Sequence, residues 1–338
     1  MPIAKKYKYV DLSGYAFTGK HAVIDLLREF EGFCVPHFEF EFNLLRIQGG
    51  IRDLETALVD DWSPIRSDAA IRRFRKVVDR FSSKNSIVDP SSWFCAVGWN
   101  YEDFFNSRFK ELSTAYLDEF IEASWQTNWP YPLAEIPGYE LFFRKLKKLC
   151  GAKDAMDFEI CLAAPETFIE VTRNYLNNLL AAFVQNRRED SARTVVMHNS
   201  FEPFNPSRSI RYFHDAKSIV VDRDPRDNYV AGLWYRPTAL PPDKFIKRYR
   251  LYRQLSKRHD DGNINVLRIL FEQLVLEYDT TVPKILDFLG EDHSVHVEPK
   301  KYFDPAISGK NVGIWRNYEH QEEIDLIYHE LNEYCYES

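Results

Sequence analysis

The chain has 338 residues, of which 45% are apolar, and a formal net charge of −7. This length and apolar share suit one large α/β domain or two small ones with a substantial core, and the acidic balance argues against a general nucleic-acid binder, so any anion site has to be local. No run of about 18 apolar residues marks a membrane span, and the basic start Met-Pro-Ile-Ala-Lys-Lys-Tyr-Lys leads into a strand pattern instead of an apolar signal region; a soluble cytoplasmic protein is expected.

Tyr9–Leu12 reads as a short strand. Ala22–Phe30 reads as a helix, because Val23, Leu26, Leu27 and Phe30 recur at three- and four-residue spacing. Between them, Gly14-x-x-x-x-Gly19-Lys20 matches a phosphate-binding loop up to its last position, where His21 replaces the Ser or Thr that would hold magnesium. A strand that runs through a small-residue loop into a helix aims backbone N–H groups and the positive end of the helix dipole at one point, which attracts an anion. Val35–Phe42 alternates with period two, placing Phe38, Phe40 and Phe42 on one side and Glu39 and Glu41 on the other, the pattern of a second strand.

From Asp53 to about Arg188 the pattern is helical. Ser67-Asp68 is placed to cap a helix with apolar Ile71, Phe74, Val77, Val78 and Phe81. Phe109, Leu112, Tyr116 and Phe120 mark another, and Pro165 suits the first turn of a long helix carrying Phe168, Val171, Tyr175, Leu179 and Phe183. The Pro- and Trp-rich piece Trp125–Tyr139 reads as a loop. Strand signals return at Thr194–His198, Ser218–Asp222 and Val266–Phe271, with a basic amphipathic helix at Asp243–Arg258 and a further helix at Tyr278–Leu289. The stripe Phe245, Ile246, Tyr249 and Tyr252 is expected on the core; the cations beside it leave an anionic glycan, a polyphosphate lipid carrier or a peripheral membrane contact open.

Short buried strands alternating with helices specify an α/β fold with a central parallel sheet flanked by helices. Residues 1–338 then form a single domain, in which 53–190 is a large, mostly helical insertion that shapes the acceptor site. The five cysteines (Cys34, Cys95, Cys150, Cys161, Cys335) are scattered with no Cys-x-x-Cys pair, so free, mostly buried thiols are expected and no metal site.

Two later stretches carry charge suited to a phosphate. In Val220-Val-Asp-Arg-Asp-Pro-Arg-Asp227 an apolar strand delivers Arg223, whose planar fork can donate two parallel hydrogen bonds. Ser308-Gly-Lys-Asn-Val-Gly-Ile-Trp-Arg316 offers glycines for close backbone approach, Lys310 and Arg316 for charge and Trp315 as a flat surface. Taken singly, each is also an ordinary surface turn or basic loop.

Together and in this order, these stretches resemble the sulfotransferase family, a P-loop-like architecture that transfers a sulfuryl group from 3′-phosphoadenosine 5′-phosphosulfate (PAPS) and releases 3′,5′-adenosine bisphosphate (PAP). Ser13–His21 matches the family's 5′-phosphosulfate loop, Arg223-Asp-Pro-Arg-Asp227 its 3′-phosphate strand end, and Gly313-Ile-Trp-Arg316 its closing loop. Phe271-Glu-Gln-Leu274 resembles its late strand-to-helix connection. The overall flavour is closer to bacterial glycan sulfotransferases. The resemblance implies a nucleotide site at Gly14, Phe17, Thr18, Gly19, Lys20, His21, Ala22, Arg223, Ala231, Lys310, Asn311, Val312, Gly313, Trp315 and Arg316. It implies a small-molecule or glycan hydroxyl as acceptor and no metal. The base candidates are His198, which ends its strand where many members place a catalytic histidine, and Glu41 or Glu39, since the glycan branch often uses a glutamate on strand two.

Three positions depart from the family. Phe17 stands where many members carry Lys or Arg, and Lys20 is the substitute cation. Ala231 stands where a serine commonly binds the 3′-phosphate, which leaves Lys310 and the backbone of 311–313 to complete that site. Arg316 replaces Lys. The rival readings are a P-loop nucleotide kinase or NTPase, opposed by His21 and by the lack of an obvious Walker B acid, and a non-catalytic nucleotide- or glycan-binding relative, to which Phe17 and Ala231 point.

Overall fold

The computed structural model describes residues 6–37, 40–84, 99–234, 239–260 and 262–337. Two compact units share the chain, Met1–Leu45 with Arg187–Ser338 forming one and Arg46–Asn186 the other. In chain order, the first unit opens with β1 (Lys8–Gly14), α1 (Lys20–Leu27) and β2 (Phe33–Cys34). The second contains α2 (Pro64–Ser82), α3 (Phe109–Asp118), β3 (Ile121–Thr127), α4 (Gly138–Leu149), β4 (Phe158–Ala163) and α5 (Phe168–Arg187). The first unit resumes with β5 (Thr194–His198), β6 (Ala216–Asp222), α6 (Pro225–Leu233), α7 (Pro242–Asp260) and β7 (Val266–Leu270). It closes with α8 (Phe271–Leu276), α9 (Tyr278–Leu289) and α10 (Gln321–Leu331).

The first unit is built on a five-stranded sheet in the order β2-β5-β1-β6-β7. Every pairing is parallel. A parallel sheet has to be covered on both faces, and two apolar clusters of this unit can be described. Val23, Ile24, Leu26 and Leu27 of α1 and Val282, Ile285 and Leu286 of α9 pack with Val10, Leu12, Ile219 and Val221 of the strands. Tyr229 and Val230 of α6, Phe245, Ile246 and Tyr249 of α7, and Ile324, Ile327 and Leu331 of α10 form the other cluster. Phe245, Ile246 and Tyr249 of the basic helix's stripe are therefore core, and Tyr252 is half-buried against Tyr15. The helix's cations are partly spoken for as well, since Arg250 pairs with Glu330 and Arg253 with Asp222.

Several readings need correction here. Val35–Phe42 is not the second strand: β2 ends at Cys34, the described residues 35–37 and 40–42 lie outside any ladder, and Phe38 and Glu39 fall outside the described residues. The alternating pattern misled because Phe40 and Phe42 are buried by irregular chain. A ladder-like anchor there is the Phe42 N–H, which donates to the His198 carbonyl at 3.0 Å.

In the second unit, Ser63 rather than Ser67 caps α2, accepting from the Arg66 N–H at 3.2 Å. Ser67 and Asp68 are buried and bind the edge of β4 instead. Ser67 Oγ accepts from the Ala163 N–H at 2.9 Å and donates to the Ala163 carbonyl at 3.0 Å, and Asp68 Oδ1 accepts from the Cys161 N–H at 3.1 Å. Nor is this unit wholly helical: β3 and β4 pair antiparallel, and β3 takes the first residues of the stretch expected as a loop. Among the described residues, no helix is long and apolar enough to cross a membrane.

Ser67→Ala removes the acceptor of a buried amide and the donor to its carbonyl. It should destabilise the protein by about 1–3 kcal/mol, read as a lower urea midpoint with an unchanged m-value.

Candidate functional site

The strand register sets the site. Leu12 of β1 lies beside His198 of β5 and Gly14 beside Val221 of β6, so the C-terminal ends of three adjacent strands deliver the loop after Gly14, His198 and Arg223 to one edge. Ligands of open α/β sheets bind at that edge.

The loop between β1 and α1 is held by its own carbonyls. Arg223 Nη1 donates to the Phe17 carbonyl at 2.9 Å, Asn228 Nδ2 to the Ala16 carbonyl at 2.7 Å, and Thr18 Oγ1 to the Tyr15 carbonyl at 3.1 Å. Phe17 has φ 63° and Gly19 φ 79°. A side chain at Gly19 would overlap the Phe271 ring, whose Cγ lies 2.8 Å from the ideal Cβ position; at Gly14, a Cβ would fall 2.6 Å from the Val221 carbonyl oxygen. Gly19 is the N-cap of α1 and supplies no side-chain cap, and the first turn carries no acid. This arrangement suits a bound anion.

Arg223 is buried, and its second Nη donates to the Asn311 carbonyl. Its Nε lies 4.0 Å from Glu272 Oε1. Burial pushes the Arg223 pKa down, against the pull of Asp227, Glu272 and Asp224. Burial also pushes Glu272 up to about 7.

A cavity of 590 Å³ opens at this point, lined by Phe17, Gly19, His21, Ala22, Asp25, Arg223, Ala231, Trp234, Phe271, Ser308 and Asn311. The structure thus brings seven of the sequence-derived nucleotide residues to one space: Phe17, Gly19, His21, Ala22, Arg223, Ala231 and Asn311. Gly14 and Thr18 are buried in the loop that shapes it.

Val312, Gly313, Trp315 and Arg316 line a separate 200 Å³ cavity with Asp224, Arg226, Asp227 and Glu272. There Asp227 accepts from the Gly313 N–H at 2.7 Å and the Trp315 N–H at 3.1 Å. Trp315 is already stacked, with the Arg226 guanidinium 4.2 Å and the Arg316 guanidinium 4.9 Å from its ring centre. Lys310 and Arg316 are exposed.

His198 and Glu41 meet behind this edge. His198 is buried, its ring centre is 5.2 Å from that of His21, and neither ring nitrogen has a hydrogen-bond partner of normal geometry. Burial first, then the positive charge of Lys20, pulls its pKa down to about 4, although Glu41 acts the other way. Burial works to raise the Glu41 pKa, but hydrogen bonds from Asn199 and Asn43 and the charges of His198 and Lys20 prevail, and the net direction is down. At neutral pH the pair is a neutral imidazole beside a carboxylate, and Lys20 acts on both. Glu39 lies outside the described residues.

Asp25, Trp234, Phe271 and Ser308 were not among the sequence-derived site residues. Phe271 and Ser308 each open a stretch whose later residues drew attention. Asp25 and Trp234 carry no local signal, and only tertiary structure places them at the cavity.

No family model and no curated protein matches the chain. Over nearly its whole length it is similar to solved sulfotransferase structures. The sulfotransferase domain of the Synechococcus PCC 7002 olefin synthase is 15% identical, with a TM-score of 0.41, over 96% of this chain and 95% of that one. Sulfotransferase STF9 from Mycobacterium avium is 13% identical, with a TM-score of 0.38, over 99% and 76%. Retinol dehydratase in complex with retinol and PAP is 12% identical, with a TM-score of 0.33, over 98% and 82%. Similarity at this level says nothing about chemistry, which has to come from this chain's own residues.

Gly19→Ala forces a side chain into the left-handed region and against Phe271. A loss of at least about 1–2 kcal/mol is expected, measurable by chemical denaturation. His198 should titrate well below the usual 6.5 in a histidine-resolved NMR pH series. Its depressed pKa opposes folding only as pH falls from about 6.5 through about 4, so the stability it affects is full above that window and lost below it.

Proposed function

We propose that the protein is a sulfotransferase that moves a sulfuryl group from PAPS to an acceptor hydroxyl, on a carbohydrate or glycan. The observation that carries this reading is the convergence of the Gly14–Ala22 loop, Arg223 and the 308–311 segment on one cavity at the C-terminal edge of the sheet. In this reading the loop and the start of α1 hold the 5′-phosphosulfate. Arg223 and Ser308 serve the 3′-phosphate, Ser308 supplying a hydroxyl to the cavity that Ala231 cannot. Phe271 and Trp234 offer aromatic surface for the adenine. Val312, Gly313, Trp315, Arg316 and Lys310 belong to the loop that Asp227 positions beside it.

The donor supplies an electrophilic sulfur. The acceptor oxygen attacks it, the bond from sulfur to the phosphate oxygen breaks, and PAP leaves. His198 takes the hydroxyl proton, and the Glu41 carboxylate offsets the imidazolium charge that results. Lys20, whose charge acts on both, balances the leaving phosphate in place of the cation absent at Phe17. Glu39 is kept as the alternative to Glu41.

Against phosphoryl transfer stand His21 at the magnesium-ligand position and the state of Asp222. That strand-end acid, nearest to a Walker B position, is paired with Arg253 and lies 3.6 Å from Arg268. The non-catalytic reading is favoured by Phe17 and Ala231 and is separated by turnover.

PAP is expected to bind in calorimetry without magnesium and to raise the melting temperature, as a native-state ligand must; tighter binding of ATP with magnesium would overturn the proposal. His198→Ala should lower kcat by about 10²–10⁴-fold with PAP affinity nearly intact, while Lys20→Ala should weaken both. Unchanged turnover in His198→Ala would move the base role to Glu41. With a base that protonates at about 4, kcat/KM should hold its plateau down to mildly acidic pH and fall only as pH drops toward that value.

A further inference from the structure

The helix α4, Gly138–Leu149, is attached the wrong way round for a soluble protein. Its sequence GYELFFRKLKKL places Leu149, Phe142, Leu146, Tyr139 and Phe143 within an arc of about 120° at 100° per residue. A surface helix normally turns such an arc to the core. Here none of its residues is buried, and these five side chains are 40–83% exposed. The polar side makes the attachment. Arg144 donates to the Ala155 and Asp157 carbonyls at 3.4 and 3.2 Å, pairs with Glu140 at 3.1 Å, and stacks 4.2 Å above the Phe158 ring centre. These anchors fix the helix with its apolar face in water.

The charge around that face is one-sided. Lys145 and Lys147 flank the two edges of the apolar arc, with Lys148 further round, and all three are exposed. None has a carboxylate partner among the described residues, and the helix's one acid, Glu140, is held by Arg144. In a chain of net charge −7 this is a local cationic rim around Phe and Leu side chains. An anionic bilayer complements both features: the apolar side chains enter the headgroup–acyl boundary while the lysines reach lipid phosphates and carboxylates. A second copy docked face to face would bring the same lysines against each other. The other basic helix, α7, does not compete for this role, because Phe245, Ile246 and Tyr249 of its apolar stripe lie in the core.

We propose that α4 docks the protein on an anionic lipid surface, with Phe142, Phe143, Leu146 and Leu149 inserted and Lys145, Lys147 and Lys148 at the headgroups. The test is co-sedimentation of the full chain with phosphatidylcholine vesicles, with and without phosphatidylserine, at low and high salt. Binding to the phosphatidylserine vesicles, weakened by salt, is expected. Both Phe142→Ser/Phe143→Ser and Lys145→Glu/Lys147→Glu/Lys148→Glu should lower partitioning at least about tenfold. Because the substituted residues are exposed, circular dichroism and melting temperature should not change, which separates lost docking from lost folding. Failure of the wild-type chain to bind either vesicle would overturn the proposal, as would equal binding by the wild type and both variants. So would a concentration-dependent dimer in sedimentation velocity that Phe142→Ser/Phe143→Ser abolishes, since it would assign the face to another copy.

Discussion

The candidate site depends on one buried guanidinium. Arg223 follows the last residue of β6 and donates to the carbonyls of Phe17 and Asn311, joining the first loop of the chain to one of the last. An arginine out of water is costly unless its donors are used and its charge is balanced. The two carbonyls take one donor from each Nη, the buried Nε has no hydrogen-bond partner among the described residues, and the nearby Asp227, Glu272 and Asp224 balance the charge. The next acid along, Asp227, holds Gly313 and Trp315, so the stretch that reads as a single motif does two jobs: Arg223 gathers the cavity and Asp227 anchors the neighbouring loop.

The base pair shows how burial and a neighbouring cation keep a histidine neutral and ready beside a carboxylate. Burial and Lys20 both disfavour imidazolium, and Glu41 alone among the named groups favours it strongly through charge. A proton arriving on His198 therefore finds its compensation in a carboxylate already ionised and fixed by Asn199 and Asn43. Asn199 itself is legible only in three dimensions: it is the residue after β5, held in the left-handed region at φ 54°, and nothing in its sequence neighbourhood connects it to Glu41.

What could be read from the sequence follows from how local the cause was. β1, β5 and β6 are short runs buried along almost their whole length, and β7 is a short, mostly apolar edge strand, so their pattern alone announces them. The loop from Gly14 to Lys20 was legible because its backbone needs glycine at fixed places, one of them confirmed by a positive φ and the nearness of Phe271. Val35–Phe42 failed because alternation reports burial of every second side chain, and irregular chain can bury Phe40 and Phe42 equally well. β3 failed for the opposite reason: most of its residues are exposed, so no alternation marks it. Ser67 and Asp68 have the chemistry of a cap, but a tertiary partner, the edge of β4, outcompetes the local one. Asp25 and Trp234 reach the cavity by tertiary placement that no spacing rule encodes.

The position of β1 in the sheet has a consequence for synthesis of the chain. It is the central strand, and both neighbours, β5 and β6, come from beyond residue 190. A nascent chain therefore carries Tyr9, Val10 and Leu12 without sheet partners while the whole of Arg46–Asn186 is made. At ribosomal speeds of about 5–20 residues per second, that interval is about 7–28 s. By its end the inserted unit has all of its own residues available, whereas the unit that holds the cavity has only its segment up to Leu45, with β1, α1 and β2, to offer a chaperone.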